Sequence, residues 1–127
     1  MAIPLAGCVL LREKKILLIH RIAKDWWELP GGKIEPGETG EQTVVREARE
    51  ELGCKIWIIR ELGSKEFKEG ERTFMYHWFL AQTGMTPRIG EPQVHDKLAF
   101  FSVDELENMS ISPNVRNLLA AWKTLRI

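Results

Sequence analysis

The stretch that decides the fold is GGKIEPGETGEQTVVREAREELGC, residues 31–54. Its first eight residues include three glycines and one proline, and no helix can run through such a segment. Its second half predicts a helix over residues 40–52. The spacing of Thr39 and Gln42 matches a capping box at the start of that helix, and Gly53 is the usual type of residue at its end. We therefore expect a loop followed by a helix.

The predicted helix separates apolar from acidic side chains at about 100° per residue. The expected core face carries Val44, Val45, Ala48 and Leu52. Three glutamates, Glu47, Glu50 and Glu51, are assigned to an arc roughly opposite. Like charges at this spacing repel by roughly a few tenths of a kcal/mol, so a solvated acidic face is one interpretation. The other is a metal site, because clustered carboxylates supply the oxygen ligands that Mg²⁺ prefers beside substrate phosphates.

The spacing of charged residues in this stretch resembles the Nudix box. Gly32 is followed six positions later by Glu38, and eight positions after that begins the run REAREELG, residues 46–53. The resemblance covers residues 32–54, and every charged slot of the box is filled. Ala48 and Cys54 fill apolar slots with small residues, which is a mild departure. The neighbouring residues are also close to MutT-type members, which hydrolyse nucleoside triphosphates, notably 8-oxo-dGTP, to a monophosphate and pyrophosphate.

The resemblance implies one α/β domain over residues 1–127, an α/β/α sandwich around a mixed sheet. The box would form a loop-helix-loop catalytic motif, and a helix would close the chain. Mg²⁺, with Mn²⁺ able to substitute, would be held by the backbone carbonyl of Gly31 and by Glu47, Glu50 and Glu51. Arg46 would orient a helix glutamate, and Glu38 would have a structural part. The metal would hold phosphate oxygens and activate a water that attacks phosphorus.

A general base for that water is expected on a late loop, outside the box. Glu91, His95 and Asp96 are the candidates, and none of them matches the spacing of MutT-type members cleanly. We favour Glu91 or Asp96. His95 is interpreted as a surface or packing residue, as a lone histidine usually is.

Substrate contacts are also predicted outside the box. Arg21, Glu28 and Asn114 are the residue types that MutT-type members use for phosphate, sugar and base, and Lys33 lies beside the glycine pair. Alternatively, Arg21 is a solvated charge at a strand end and Asn114 is a polar residue in the first turn of a helix. One of the adjacent tryptophans at 26 and 27 would stack on a base or pack in the core.

Other activities are less compatible with the sequence. The proline or tyrosine that marks ADP-ribose and dinucleoside-polyphosphate pyrophosphatases after the box is not found, which lowers these alternatives. An isomerase acting on isopentenyl diphosphate would need further cysteine and glutamate positions that we do not identify. A non-catalytic binding module would normally have lost box glutamates.

Composition limits the partners. The 127 residues include 18 basic and 18 acidic ones, which argues against polymeric nucleic acid and leaves a small anionic nucleotide open. No apolar stretch reaches the roughly 18 residues of a membrane span, so no membrane association is expected. Cys8 and Cys54 are interpreted as buried free thiols, which suits a reducing cytoplasm. A monomer and a homodimer both remain open.

The rest of the chain predicts a mixed order of strands and helices. A hairpin is expected over residues 5–11 and 15–20, and strands over 54–68, 72–82 and 98–102. The aromatic residues Phe74, Trp78 and Phe79 are assigned to the core. Residues 83–97 are expected to form an irregular loop, and 103–108 a helical turn. The last helix should be capped by Ser112 and begin at Pro113.

Overall fold

The computed structural model describes all 127 residues. The strands are β1 (Ile3–Arg12), β2 (Lys15–Arg21), β3 (Trp26–Glu28), β4 (Gly31–Lys33), β5 (Trp57–Glu69), β6 (Arg72–Gln82) and β7 (His95–Phe101). The helices are α1 (Gly40–Leu52), α2 (Val103–Leu106) and α3 (Pro113–Leu125). None of the helices has the length and apolar composition needed to cross a membrane.

Strand β1 lies at the middle of a mixed sheet. It runs parallel to β6 and antiparallel to β2 and β4. The strand order is β3-β2-β1-β6-β5, with β4 beside β1 and β7 beside β2. The predicted hairpin is therefore confirmed as β1 and β2, and the parallel pair β1 and β6 makes the sheet mixed, as predicted.

Helices cover both faces of this sheet, which confirms the α/β/α sandwich. Because successive side chains of a strand point to opposite faces, each central strand contributes to two cores. The core beneath α1 contains Ala6, Cys8, Leu10, Leu17, Ile19, Val44, Ala48, Leu52, Cys54, Ile56, Phe79 and Ala81. The core beneath α3 contains Val9, Ile16, Leu18, Leu29, Leu62, Tyr76, Trp78, Leu106, Ile111, Val115 and Leu118. Both cysteines are buried and free.

Helix α1 begins and ends where the sequence predicts. The Thr39 hydroxyl accepts from the Gln42 N–H, and the Gln42 side chain accepts from the Thr39 N–H, so the capping box is confirmed. Gly53 ends the helix in the left-handed region at φ 63°, where a residue without Cβ is favoured. The last helix also has its predicted cap at Ser112 and proline at its first position.

The placement of Glu51 opposite the apolar face of α1 is wrong. Seven residues at about 100° bring Glu51 back to within roughly 20° of Val44, and the structure buries both side chains. Glu50 is exposed, as a solvated face requires. The three glutamates therefore differ in burial. Glu51 is buried in the last turn of the helix, Glu47 is half-buried, and Glu50 is exposed to solvent.

Two strands were not predicted, and two others begin at a different residue from the one predicted. Strands β3 and β4 lie in the segment expected to be a loop, because backbone pairing with β1 and β2 needs no apolar side chain. At Gly31 a Cβ would overlap the carbonyl oxygen of Ala6, so this close pairing needs glycine. Strand β5 begins at Trp57, three residues later than expected. Strand β7 begins at His95, three residues before the apolar run at Leu98, since its first residues are polar and still pair with the backbone of β2.

Candidate active site

Glu51 lies at the centre of the candidate site, where the last turn of α1 packs against β4. Its side chain is 4% exposed, and one carboxylate oxygen accepts a hydrogen bond from the Gly31 N–H at 2.7 Å. Burial, followed by repulsion from the carboxylate of Glu47, raises the pKa of Glu51 to about 9. No arginine or lysine contacts this carboxylate. Glu51 is therefore a buried acid without a permanent cationic partner.

Arg46 organises the outer side of the same helix. Its Nε and Nη2 donate to the two carboxylate oxygens of Glu38 at 2.7 and 3.0 Å. Its Nη1 donates to Glu47 at 2.9 Å and to Glu50 at 3.2 Å, the kind of contact predicted for this arginine. The guanidinium, together with the Glu35 N–H, holds the pKa of Glu38 at about 2. This network fixes Glu47 and leaves the Glu50 side chain 45% exposed.

A carboxylate from the late loop faces Glu51. Single ligand atoms from Glu51, Glu91 and His95 all lie within 4.8 Å of one another. The carbonyl oxygen of Glu91 accepts the N–H groups of Val94 and His95, both at 2.9 Å. This turn carries the chain into β7. Of the two acids predicted as the base, the structure therefore brings Glu91 to the helix glutamates.

Two predicted residues lie away from this cluster. The Asp96 carboxylate is hydrogen-bonded to His20 Nδ1 at 2.6 Å, and His20 Nε2 to Asp25 at 2.8 Å. The hydrogen bond with Asp96 raises the pKa of His20. Consecutive strand residues point to opposite faces, so Asp96 points away when His95 points inward. The Lys33 side chain is exposed to solvent.

A small cavity adjoins the glutamates, and four of its lining residues were predicted as site residues: Arg21, Glu28, Gly31 and Asn114. Its remaining walls are Leu5, Leu29, Gly32 and Tyr76. The volume of about 160 Å³ holds several water molecules, which is enough for a ring system. Gly31 both lines this cavity and binds Glu51, so the cavity and the glutamates share one wall.

Glu28 lies in the wall of the cavity, and its carboxylate accepts hydrogen bonds from three side chains. Arg21 Nε lies 2.8 and 2.9 Å from its two oxygens, Trp26 Nε1 2.9 Å and His95 Nε2 3.0 Å. Burial opposes ionisation of Glu28, but the hydrogen bonds from His95 and Arg21 outweigh burial and lower its pKa. Arg21 is thus half of an ion pair, and its interpretation as a solvated charge is wrong.

Tyr76 is a residue of this region that the sequence did not predict, and His95 entered only as the least favoured candidate for the base. His95 is completely buried, so of its two interpretations the structure favours a packing residue over a surface one. Tyr76 belongs to the alternating pattern of β6, which predicts burial without indicating a cavity. Trp27 packs edge-on against Phe101 with ring centroids 4.8 Å apart, which supports its packing role. Asn114 Oδ1 is buried and has no hydrogen-bond partner.

The donor set at the glutamates fits a divalent cation that prefers oxygen. The carboxylates of Glu47 and Glu91 help to raise the pKa of Glu51, and no nearby cationic group reaches Glu51: Arg21 is paired with Glu28, and Arg46 with Glu38, Glu47 and Glu50. A hard divalent ion such as Mg²⁺ would supply the missing positive charge and take carboxylate oxygens as ligands. The residues that would hold it are Glu47, Glu50 and Glu51, and Glu91 faces Glu51 from the late loop.

Comparison with known proteins places this geometry in a family. The NUDIX domain matches residues 1–122. The CTP pyrophosphohydrolase of Escherichia coli is 32% identical over 98% of this chain and 93% of its own length. A putative 8-oxo-dGTP diphosphatase of Bacillus subtilis is 40% identical, over 43% of this chain and 37% of its own. The crystal structure of a MutT NUDIX hydrolase from Burkholderia pseudomallei superposes with a TM-score of 0.83, at 30% identity, covering 94% of this chain and 97% of that one.

The buried charge of Glu51 predicts the pH dependence of stability in metal-free protein. The pKa of Glu51 rises from 4.5 to about 9 on folding, so between these pH values the folded chain keeps a proton that the unfolded chain has released. Stability should therefore fall as pH rises across this window. Glu51→Gln should flatten this fall and raise the thermal midpoint at pH 8, measured by circular dichroism in EDTA. Glu41→Gln, an exposed control on the same helix, should keep the wild-type slope. An unchanged slope in Glu51→Gln would refute the assignment.

Proposed function

This chain belongs to the Nudix hydrolase family, and from that premise we propose that it hydrolyses a nucleoside triphosphate to a nucleoside monophosphate and pyrophosphate. One observation carries the proposal: Gly31 joins the base-sized cavity to the glutamates. A base in the cavity and phosphates at Glu51 would place one ligand across both. Polymeric nucleic acid and a membrane have no part in the proposal.

The residues of the site have separate roles in the proposed hydrolysis. Glu47, Glu50, Glu51 and the Gly31 carbonyl are the proposed holders of Mg²⁺, which when bound neutralises phosphate charge and favours ionisation of water. Glu91, the acid that faces Glu51, would accept a proton from the attacking water. The oxygen of that water forms a bond to phosphorus while the bridging oxygen between the α and β phosphates leaves. Arg46 keeps Glu47 in place, and Lys33 stays a proposed phosphate contact from the exposed end of β4.

Two bases are candidates for the cavity. The resemblance to MutT-type members favours 8-oxo-dGTP, and the B. subtilis relative named for that substrate supports it over less than half of this chain. The E. coli relative named for CTP matches 98% of this chain, which favours cytosine as the second candidate. Both bases offer an N–H group, and the buried Asn114 Oδ1 lacks a donor. The free thiols of Cys8 and Cys54 support a cytoplasmic location.

The hydrolase proposal is tested by release of pyrophosphate. Wild-type protein with Mg²⁺ should release pyrophosphate from at least one of 8-oxo-dGTP, dGTP, CTP and UTP, with ADP-ribose and a dinucleoside polyphosphate as comparison substrates. Glu51→Gln should lower turnover by at least about 100-fold, since it removes a charged ligand. Glu41→Gln is the matched control and should keep wild-type turnover. If Glu51→Gln stays within tenfold of wild type, the metal assignment fails.

The two candidates for the general base, Glu91 and Asp96, are distinguished by the turnover of their amide variants. Glu91→Gln should cut kcat by about 10²–10⁴-fold, because the removed carboxylate accepts a proton in the reaction. Asp96→Asn is isosteric and should change kcat less than about threefold, because its carboxylate is hydrogen-bonded to His20 away from the cluster. Steady-state rates at saturating Mg²⁺ measure both. Near-normal turnover in Glu91→Gln would move the base onto helix α1, to Glu47 or Glu50.

Asn114 is the proposed discriminator between bases. Its unpaired acceptor should favour the donor that distinguishes each pair, the N7–H of 8-oxoguanine or the 4-amino group of cytosine, at a cost of about 1–3 kcal/mol when the acceptor stays unsatisfied. Asn114→Ala should therefore lower kcat/KM for 8-oxo-dGTP more than for dGTP, or for CTP more than for UTP, whichever pair wild type distinguishes. Asn117→Ala, on the same helix and outside this cavity, is the control. Equal losses within both pairs would reduce Asn114 to a structural role.

A further inference from the structure

His95 touches both halves of the site. Its ring is completely buried, and Nε2 lies 3.0 Å from Glu28 Oε2 and 3.9 Å from Glu51 Oε2. Glu28 belongs to the cavity wall and Glu51 to the proposed metal site. The same residue donates its main-chain N–H to the Glu91 carbonyl at 2.9 Å. His95 therefore lies between the nucleoside cavity and both carboxylates that face each other across the metal site.

The hydrogen bonds decide what this ring can do. Nδ1 is buried without a partner, whereas Nε2 has a carboxylate at hydrogen-bond distance. A buried donor without an acceptor is costly, so the proton belongs on Nε2, where Glu28 accepts it. A nitrogen that carries this proton has no lone pair for a metal. His95 Nε2 is consequently a donor placed between two acids, and the lone pair of the ring is on Nδ1.

We propose that His95 is a positioning residue that couples occupancy of the nucleoside cavity to the carboxylate of Glu51, and the proposal rests on the hydrolase function above. Glu28 already accepts from Arg21 and Trp26. A further donor from a bound nucleoside would compete for Glu28 and free His95 Nε2–H to turn toward Glu51, 3.9 Å away. A donor to a ligating carboxylate orients that ligand and strengthens cation binding. Nucleoside and cation should then raise each other's affinity by the same factor.

The experiment measures this factor without phosphates, so that the cation cannot touch the nucleoside through them. Mn²⁺ affinity is measured from the electron paramagnetic resonance signal of free Mn²⁺, with and without saturating cytidine or 8-oxo-2′-deoxyguanosine. In wild type, the better of these nucleosides should tighten Mn²⁺ binding by about fivefold or more. His95→Asn shortens the side chain so that its amide cannot reach Glu28, and the factor should fall below about twofold. His95→Gln keeps a donor near the position of Nε2 and should retain the factor.

The outcomes separate coupling from mere structural support. A factor retained in His95→Asn, lost in His95→Gln, or absent in wild type would each overturn the proposal. If His95→Asn does not fold, judged by circular dichroism, Glu28→Gln takes its place, because a neutral amide is a weaker acceptor and should lower the factor too. The Mn²⁺ affinities with and without nucleoside are both measured without turnover. Absence of pyrophosphate release from every triphosphate would contradict the proposed function and leave this test intact.

Discussion

The hydrogen bond from the Gly31 N–H to the Glu51 carboxylate is the contact on which the rest of the site depends. It joins the last turn of α1 to β4, and β4 is fixed in turn by pairing with β1. Glycine is required at this point because a Cβ would overlap the Ala6 carbonyl. Without this close approach, the buried carboxylate of Glu51 would lose the one backbone donor that compensates its desolvation. Helix, sheet and cavity are thus aligned by a single buried acid.

The same helix region shows how position decides the chemistry of a glutamate. Glu38 lies beside the Arg46 guanidinium, and its pKa is held at about 2. Glu51 lies five residues along the helix from that arginine, faces other carboxylates, and its pKa is raised to about 9. The charge of Glu38 is therefore neutralised by Arg46 within the protein, whereas the ionised form of Glu51 requires a positive charge from a ligand. This uneven distribution of charge supports a cation at the inner end and a structural part for Glu38.

The sequence predicted the helix of this site better than its orientation. Capping by Thr39 and Gly53 is a local matter, so the limits of α1 follow from neighbouring residues alone. The assignment of Glu51 to the far face was an error in the angular count, since its position relative to Val44 was already determined by the helical repeat. The sequence predicts the start of β7 at Leu98 and not at His95, because Asp96 and Lys97 are polar. Their backbone pairing with β2 cannot be recognised from the pattern of apolar side chains.

The cavity could be anticipated only in part, because its residues come from separate elements. Arg21, Glu28 and Asn114 were singled out by resemblance, whereas their convergence depends on the packing of β2, β3 and α3. His95 is brought to Glu28 by a bulge in the β2–β7 pairing beside Arg21, which no spacing rule describes.

The wall of the assembled cavity has a definite polarity: Glu28 accepts from three donors, and the Asn114 oxygen remains unpaired. A buried acceptor costs free energy until a donor reaches it. A polar group of this wall is therefore left free to accept a hydrogen bond from a ligand.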